Sequence, residues 1–198
     1  EIYQCDWSSD VCSSDLLIYC TSNPSPALPF DSPTQLEKVE KILVKRGIVS
    51  TSVTYHNPTR DRTMILEKLA VGHYDCITAV RCLDEGVDIP SVETAIIMAS
   101  SGNPKQYIQR RGRVLRPSKK TGKIKATIYD ILVKPPFSDD DSDISKRDRK
   151  LVARELLRHK EFASIALNKE EAIQSIKDVA KIYKIDFDAL DRKSTRLN

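Results

Sequence analysis

Residues 106–116 concentrate side chains that could bind phosphate. On a helix, Gln109, Arg113 and Arg116 are spaced i, i+4 and i+7 and share one face. Arginine presents a planar fork of donors to phosphate oxygens, and in phosphoryl transfer such an arginine stabilises the charge on the γ-phosphoryl group. Taken alone, the stretch fits equally well a basic helix lying on a nucleic-acid backbone or a solvated run of charge.

Residues 84–90 form a second stretch, in which a glycine precedes an acid by two positions. Gly86 follows a predicted strand and lets the backbone approach a ligand closely. Asp88 can accept hydrogen bonds from a ribose hydroxyl or orient a metal-bound water. Because such a turn is common in loops, it is by itself a weak indication of a nucleotide site.

Alternating strands and helices must position these two stretches. The sequence predicts strands at residues 16–20, 51–55, 75–79, 94–98 and 125–133, and helices at 32–47 (capped by Ser32), 59–71 and 104–111. This alternation implies an α/β fold, a parallel sheet with helices on both faces. In such sheets ligands bind at the carboxyl ends of strands, and both stretches follow strand ends.

The character of the sequence changes after residue 134. Residues 135–144 are predicted to be an acidic linker, and residues 145–190 a helical appendage. Asn168 and Glu171 resemble a capping box at the start of a helix. The apolar face of that helix is predicted to comprise Ile173, Ile176, Val179 and Ile182. The appendage could pack on its own domain or on a neighbouring part of the protein, and the sequence favours neither.

The two stretches together resemble a known pair of motifs. Gly86-Val87-Asp88-Ile89-Pro90, followed by a strand and then by Gln109-x-x-Gly112-Arg113-x-x-Arg116, is similar to motifs five and six of superfamily-two helicases of the DEAD/DEAH type. Residues 17–22 resemble motif four, and residues 62–72 resemble the helix that follows it. The resemblance covers residues 17–134 and is to excision-repair helicases and restriction-enzyme motor subunits. It implies a RecA-like second motor lobe.

The resemblance also implies roles for individual residues near the nucleotide. Gly86 and Asp88 would face the nucleotide, and Gln109 would couple its state to the interface between lobes. Arg113 and Arg116 would reach the γ-phosphate as catalytic residues, with Arg116 as the arginine finger.

A second set of residues would contact nucleic acid. The resemblance places Thr21, Ser22, Thr78 and Arg81 on the nucleic-acid backbone. One departure from the family pattern concerns this set, because Val80 stands where a threonine is often found.

The same resemblance implies cofactors and partners. ATP and Mg²⁺ would be held mainly by an N-terminal motor lobe of the same protein, because the sequence contains neither a phosphate loop nor an Asp-Glu-x-His box. Nucleic acid, with DNA favoured over RNA, and a repair or restriction/defence protein are the expected partners. We expect no metal site in this chain, no membrane association and a cytoplasmic location. The alternative is a non-enzymatic module that kept the fold and binds nucleic acid or a partner.

Both ends of the chain read as translated sequencing adapter. One reverse translation of residues 191–198 gives a string whose reverse complement, in another frame, encodes Ser9 to Asp15. Because that string resembles a widely used library adapter, residues 1–16 and 191–198 are predicted to be artefact. We then expect residues 17–190 to be a fragment of a longer protein, inactive alone.

Charge is compatible with a nucleic-acid partner. Residues 1–16 and 191–198 hold five acids and three bases, so the net charge of +4 becomes +6 without them. Residues 105–125 contain nine Lys or Arg and no acid. The four lysines of that run outside the motif either bind phosphate or belong to a solvated loop. They are Lys119, Lys120, Lys123 and Lys125.

Cysteine usage points away from a metal centre. Cys20, Cys76 and Cys82 have no metal-like spacing and are predicted to be buried free thiols in a reducing compartment.

Overall fold

The computed structural model describes residues 15–21, 32–80, 92–98, 104–119, 122–135 and 145–190. The chain divides into two compact units between Ile131 and Leu132. The first unit contains a sheet with its helices and the second contains two packed helices, and each is described by itself.

The sheet of the first unit has five parallel strands in the order β2-β3-β1-β4-β5. They are β1 Leu16–Tyr19, β2 Ser50–Val53, β3 Cys76–Ala79, β4 Thr94–Ile97 and β5 Thr127–Asp130. The predicted α/β fold with a parallel sheet is therefore confirmed. Each strand is shorter than the predicted apolar run, because parallel pairing stops where the chain turns away.

The first helix of the sheet unit, α1 (Gln35–Lys45), starts later than predicted. The expectation that Ser32 caps it was wrong. Thr34 is the cap: its hydroxyl accepts a hydrogen bond from the Glu37 amide at 3.3 Å, and the Glu37 carboxylate accepts one from the Thr34 amide at 2.6 Å. An ionised carboxylate is a stronger acceptor than the Gln35 amide three positions after Ser32.

Helix α1 buries one narrow stripe against the sheet. Val39 and Leu43 are buried beside Leu16 and Ile18, whereas Ile42, also predicted to face inward, is 57% exposed. With 3.6 residues per turn, adjacent residues point about 100° apart, so Ile42 is turned away from Leu43 and lies at the border of the buried stripe.

Two more helices complete the sheet unit, α2 (Thr59–Ala70) and α3 (Pro104–Val114). Leu66 and Leu69 of α2 are buried as predicted. Helix α3 extends three residues beyond the predicted end and stops before Pro117, because a proline disfavours helical geometry at the preceding residue.

The order of the strands fixes which helix lies on which face. From β1 to β2 the chain moves toward one edge of the sheet, and from β2 to β3 and from β4 to β5 it moves toward the other. Because crossovers between parallel strands are right-handed in nearly all proteins, α1 lies on one face and α2 and α3 lie on the other. This explains why all four residues of β1 and of β3 are buried.

The second unit is a pair of helices, α4 (Lys146–Ala163) and α5 (Lys169–Ile182), that bury a common apolar core. The buried Tyr183 hydroxyl donates to the Pro135 carbonyl at 2.6 Å. Asn168 occupies the cap position of α5, but its side chain makes no capping hydrogen bond, so the predicted capping box is wrong. Ile182, predicted to face the core, is 41% exposed.

Two of the three predicted thiols lie within the described ranges. Cys20 and Cys76 are free and buried, and burial, more than neighbouring charge, raises the pKa of each thiol to about 12. These thiols are therefore protonated and unreactive near neutral pH. Cys82 lies outside the described residues.

Among the helices that the structure describes, none combines the length and apolar character needed to cross a lipid bilayer.

The Thr34 cap gives a first prediction. We expect Thr34→Ala to lower the free energy of unfolding by about 1 kcal/mol, because it leaves the first amides of α1 without an acceptor. Urea unfolding of the whole chain measures this. The pKa of Glu37 is lowered, chiefly by the Thr34 amide. Thr34→Ala keeps that amide and removes the second cause, the hydrogen bond that the Thr34 hydroxyl donates to the Glu37 carboxylate at 3.0 Å. The stabilisation from this second bond is present above the ordinary pKa of Glu37 and is lost as pH falls through the lowered value, so that part of the effect of Thr34→Ala should disappear on acidification.

Thr63→Ala is the matched control for Thr34→Ala. Thr63 is exposed in the middle of α2, and its hydroxyl only donates back to the Thr59 carbonyl at 3.1 Å. Since alanine is the better helix former, we expect stability to stay the same or rise slightly. Equal losses in the two variants would contradict a capping role for Thr34.

Candidate functional site

Helix α3 carries the predicted phosphate-binding side chains. Gln109 is exposed and Arg113 is half-buried one turn further on. Arg116 lies beyond the last helical residue, is exposed, and its amide donates to the Arg113 carbonyl at 3.3 Å. The three residues therefore follow one another along the end of α3, although only the first two are helical.

The end of α3 lies at the amino edge of the sheet. The ammonium group of Lys123 donates both to the carbonyl of Val114, the last residue of α3, at 2.5 Å and to the carbonyl of Val92, two residues before β4. These two carbonyls must therefore be close neighbours. The chain leaves β4 at its carboxyl end and returns along α3 to the amino end.

The expectation that the arginine-containing stretch follows a strand end agrees with the start of α3, which comes after the carboxyl end of β4. Arg113 and Arg116 lie near the amino end of β4, because a helix as long as α3 carries its last residues back past the strand. Gly86 and Asp88 lie outside the described residues.

Lys123 itself departs from both sequence interpretations. It was expected either to bind phosphate or to belong to a solvated loop, but its side chain is only 3% exposed. Lys119 and Lys125, by contrast, are exposed. The run of lysines is therefore not one surface, since Lys123 makes an internal contact and Lys119 and Lys125 are open to solvent. Lys120 lies outside the described residues.

The carboxyl edge of the sheet holds the second predicted group. The Thr21 amide, just after β1, donates to Gln35 Oε1 at 2.9 Å, and Gln35 Nε2 donates to the Met98 carbonyl, just after β4, at 3.4 Å. The Leu36 amide donates to the Thr21 carbonyl at 3.3 Å. Thr21 is thus held at the carboxyl edge by its main chain.

Thr78 does not join Thr21 at that surface. Its side chain is fully buried within β3, and its hydroxyl donates to the Thr51 carbonyl at 3.4 Å. Ser22 and Arg81 lie outside the described residues. Of the four residues predicted to contact nucleic acid, the structure therefore presents Thr21 at the edge and places Thr78 inside the sheet.

Sequence reasoning missed two features of the carboxyl edge. Gln35 bridges the ends of β1 and β4, and its only signal was a polar residue at the start of α1. Tyr55 and His56, directly after β2, are exposed and lie with ring centroids 3.8 Å apart. Arg62 donates to the Asn57 carbonyl at 2.8 Å and to the Tyr55 carbonyl at 3.2 Å, which holds this turn against α2.

Within the ranges that the structure covers, no three His, Cys, Asp or Glu side chains come together as they would around a metal ion.

Comparison with known proteins identifies a family for the region that contains the arginines of α3. Residues 13–118 match the family described as helicase conserved C-terminal domain. The chain is 43% identical over 68 residues to the DNA 3'-5' translocase XPB2 of Sulfurisphaera tokodaii, covering 34% of this chain and 16% of that protein. It is 29% identical over 85 residues to UvrABC system protein B of Thermus thermophilus, covering 40% of this chain and 13% of that protein.

These relatives are much longer than the matched region, since the chain spans less than a fifth of the length of either. Among solved structures, the C-terminal domain of the DEAD-box protein Dbp5 gives a TM-score of 0.48 at 16% identity, over 84% of this chain and 83% of that chain. Because the family match spans more than half of the 198 residues, the chain belongs to the helicase conserved C-terminal domain family.

Proposed function

We propose that the chain is the half of an ATP-driven nucleic-acid motor that supplies arginines to the nucleotide. The observation that carries this proposal is the arrangement at the end of α3, where Gln109, Arg113 and Arg116 follow one another inside the matched family region. Such arginines stabilise the charge that develops on a transferred phosphoryl group.

The electrostatics of this segment support the proposal. Residues 105–125 contain no carboxylate that could neutralise the arginines from within the segment. A concentration of positive charge of this kind attracts a triphosphate, and the forked guanidinium can bind two of its oxygens at once. Arg116, exposed beyond the end of α3, is the arginine finger in this proposal, and Arg113 is its partner on the helix.

The remaining sequence-based roles are part of the same proposal. Gly86 and Asp88 face the ribose and phosphates, and Gln109 links the nucleotide to the lobe interface. Thr21, at the carboxyl edge, binds the nucleic-acid backbone, and Ser22 and Arg81 bind the same backbone. Thr78, whose hydroxyl is bonded to β2, supports that edge from within the sheet.

A first motor lobe completes the proposed site. It holds Mg²⁺ and the larger part of ATP, and the metal supplies charge neutralisation on the phosphates. This chain by itself is proposed not to hydrolyse ATP. DNA is the proposed nucleic acid, because the relative with the higher identity is by its name a DNA translocase. A repair or restriction/defence protein is the proposed further partner.

Arg116→Ala in the protein that contains both lobes tests the proposal. We expect the nucleic-acid-stimulated ATPase rate to fall on the order of 10³-fold, because the charge on the γ-phosphoryl group loses its stabilising cation. Binding of a fluorescent oligonucleotide should be retained. Steady-state ATPase assays and fluorescence anisotropy measure the two quantities.

Arg60→Ala is the matched control, since Arg60 is an exposed arginine on α2 and outside the proposed site. We expect its ATPase rate to equal that of the wild type. Turnover like that of the wild type in Arg116→Ala would remove the arginine-finger assignment.

A second candidate function is nucleic-acid binding without hydrolysis, and α4 is the observation that favours it. Arg147, Lys150 and Arg154 are exposed at spacings of three and four residues and therefore share one face. The neighbouring acids are engaged locally: the Asp148 carboxylate accepts from Ser145 at 2.7 Å and the Glu155 carboxylate pairs with Arg158 at 3.0 Å. The α4 basic face therefore keeps its positive charge toward solvent.

Replacement of Arg147, Lys150 and Arg154 by Gln tests the α4 basic face. We expect weaker oligonucleotide binding and a salt dependence whose slope falls by about one unit for each lost phosphate contact. Anisotropy titrations of the whole chain at several salt concentrations measure both.

The control for this variant replaces Lys38, Lys41 and Lys45 of α1 by Gln. These lysines are exposed with the same spacing, so the net charge changes equally, but Glu37 and Glu40 lie among them. We expect little change in affinity or slope. Equal losses in both triple variants would show a general charge effect and exclude a specific α4 site.

A further inference from the structure

Lys123 is a buried lysine whose ammonium group binds main-chain carbonyls. Its side chain is 3% exposed and donates to the carbonyls of Val92 and Val114, the latter at 2.5 Å. A buried cation is costly unless hydrogen bonds replace its water, and here carbonyl oxygens do so. The hydrogen bonds of a lysine buried in this manner hold the two carbonyls in fixed positions.

The Val114 carbonyl is a group that needs such a donor. The last four carbonyls of a helix have no partner within the helix, and their aligned dipoles give this end a partial negative charge. No acid occurs in the first turn of α3 and its last turn contains Arg111 and Arg113, so the helix is strongly basic. Lys123 supplies both the missing donor and a favourable charge at the carboxyl terminus.

A tight turn directs Lys123 back toward the helix. The Ser118 amide donates to the Lys123 carbonyl at 3.1 Å, which closes an isolated antiparallel bridge between these residues. Gly122, immediately before Lys123, has a φ of +74°, a conformation that other residues adopt only with strain. The chain thus reverses direction after α3, and the Lys123 ammonium group contacts the end of the same helix.

We propose that Lys123 is the positioning residue for the arginines of α3. It joins the end of α3 to the segment that enters β4, and so fixes Arg113 and Arg116 relative to the amino edge of the sheet. This inference rests on the proposed function insofar as it assigns catalysis to those arginines. The contact itself does not depend on that assignment.

The first test measures the contact in the 198-residue chain. Lys123→Met keeps the length of the side chain and removes its three donors. We expect amide hydrogens at the end of α3, those of Leu115 and Arg116, to exchange about tenfold faster, because two buried carbonyls lose their donor. Lys125→Met, which removes the same charge from an exposed position, should leave this exchange unchanged. Equal protection in wild type and Lys123→Met would overturn the contact.

The second test measures the consequence in the protein with both lobes. We expect Lys123→Met to lower kcat for ATP by about 10²-fold, because a displacement of roughly 1 Å in a catalytic group can cost that much. KM should change by less than about threefold, since an interaction made mainly in the transition state is being lost. Unchanged kcat in a protein whose α3 exchange has risen would overturn the positioning role.

Failure of the proposed function has a different signature. If the wild type shows no ATPase activity while Lys123→Met still raises exchange in α3, the proposed function fails and the contact stands.

Gly122→Ala keeps the test decisive if Lys123→Met does not fold. This variant keeps the Lys123 side chain but strains the turn that directs this side chain toward the end of α3. We expect the same direction of change in exchange and in kcat, with a smaller size. If Gly122→Ala changed neither the amide exchange at the end of α3 nor kcat, the proposal would be overturned.

Discussion

Parallel pairing of β1 with both β3 and β4 is the constraint on which the sheet unit depends. Parallel neighbours cannot be joined by a tight hairpin, so each connection must cross the sheet and carry a helix or a long loop. With β1 in the centre, the chain moves first to one edge and later to the other, and the hand of the crossovers then places α1 on one face and α2 and α3 on the opposite face. Both faces of the central strands are covered as a result.

The same constraint determines where the basic side chains lie. A helix that connects parallel strands must return the chain from a carboxyl end to an amino end. Side chains at its start therefore lie near one edge of the sheet and those at its end lie near the other. Arg113 and Arg116 flank Val114 at the end of α3, and the Val114 carbonyl shares the Lys123 ammonium group with the carbonyl of Val92, at the amino end of β4. The rule that ligands bind at carboxyl ends describes the strand–helix turns, and it does not extend to the last turn of a helix.

Periodicity predicted the elements and most of their buried positions, and sequence patterns failed where one polar contact competes with another. The strands, the buried Leu66 and Leu69 and the parallel sheet follow from apolar spacing, whereas Ile42 and Ile182, predicted by the same spacing to face inward, are exposed. Ser32 and Thr34 are both followed three residues later by a possible capping partner. The structure selects Thr34, because Gln35 is bonded to Thr21 and Met98 instead. Nothing in the spacing of the residues shows that choice.

Lys123 is a second residue whose contacts could not be predicted from the sequence. In sequence it is one of four lysines that follow the arginine-containing motif, and composition cannot distinguish a buried lysine from an exposed one. Only the turn at Gly122, with its positive φ, directs Lys123 inward. A glycine directly before the inward-facing lysine was the one available signal, and it has meaning only once the end of α3 is known to lie nearby.

Strand β4 connects the two edges that the proposed motor uses. At its amino end the Val92 carbonyl is bonded to Lys123, and at its carboxyl end the Met98 carbonyl is bonded to Gln35, which also binds Thr21. The two carbonyls are six residues apart, which in an extended strand is about 20 Å. Because a strand that is hydrogen-bonded to a neighbour on each side is stiff, both edges are held in one rigid unit. In the proposed motor, a change at the nucleotide would therefore reach the nucleic acid by movement of this lobe as a whole, and an internal rearrangement of the sheet is not required.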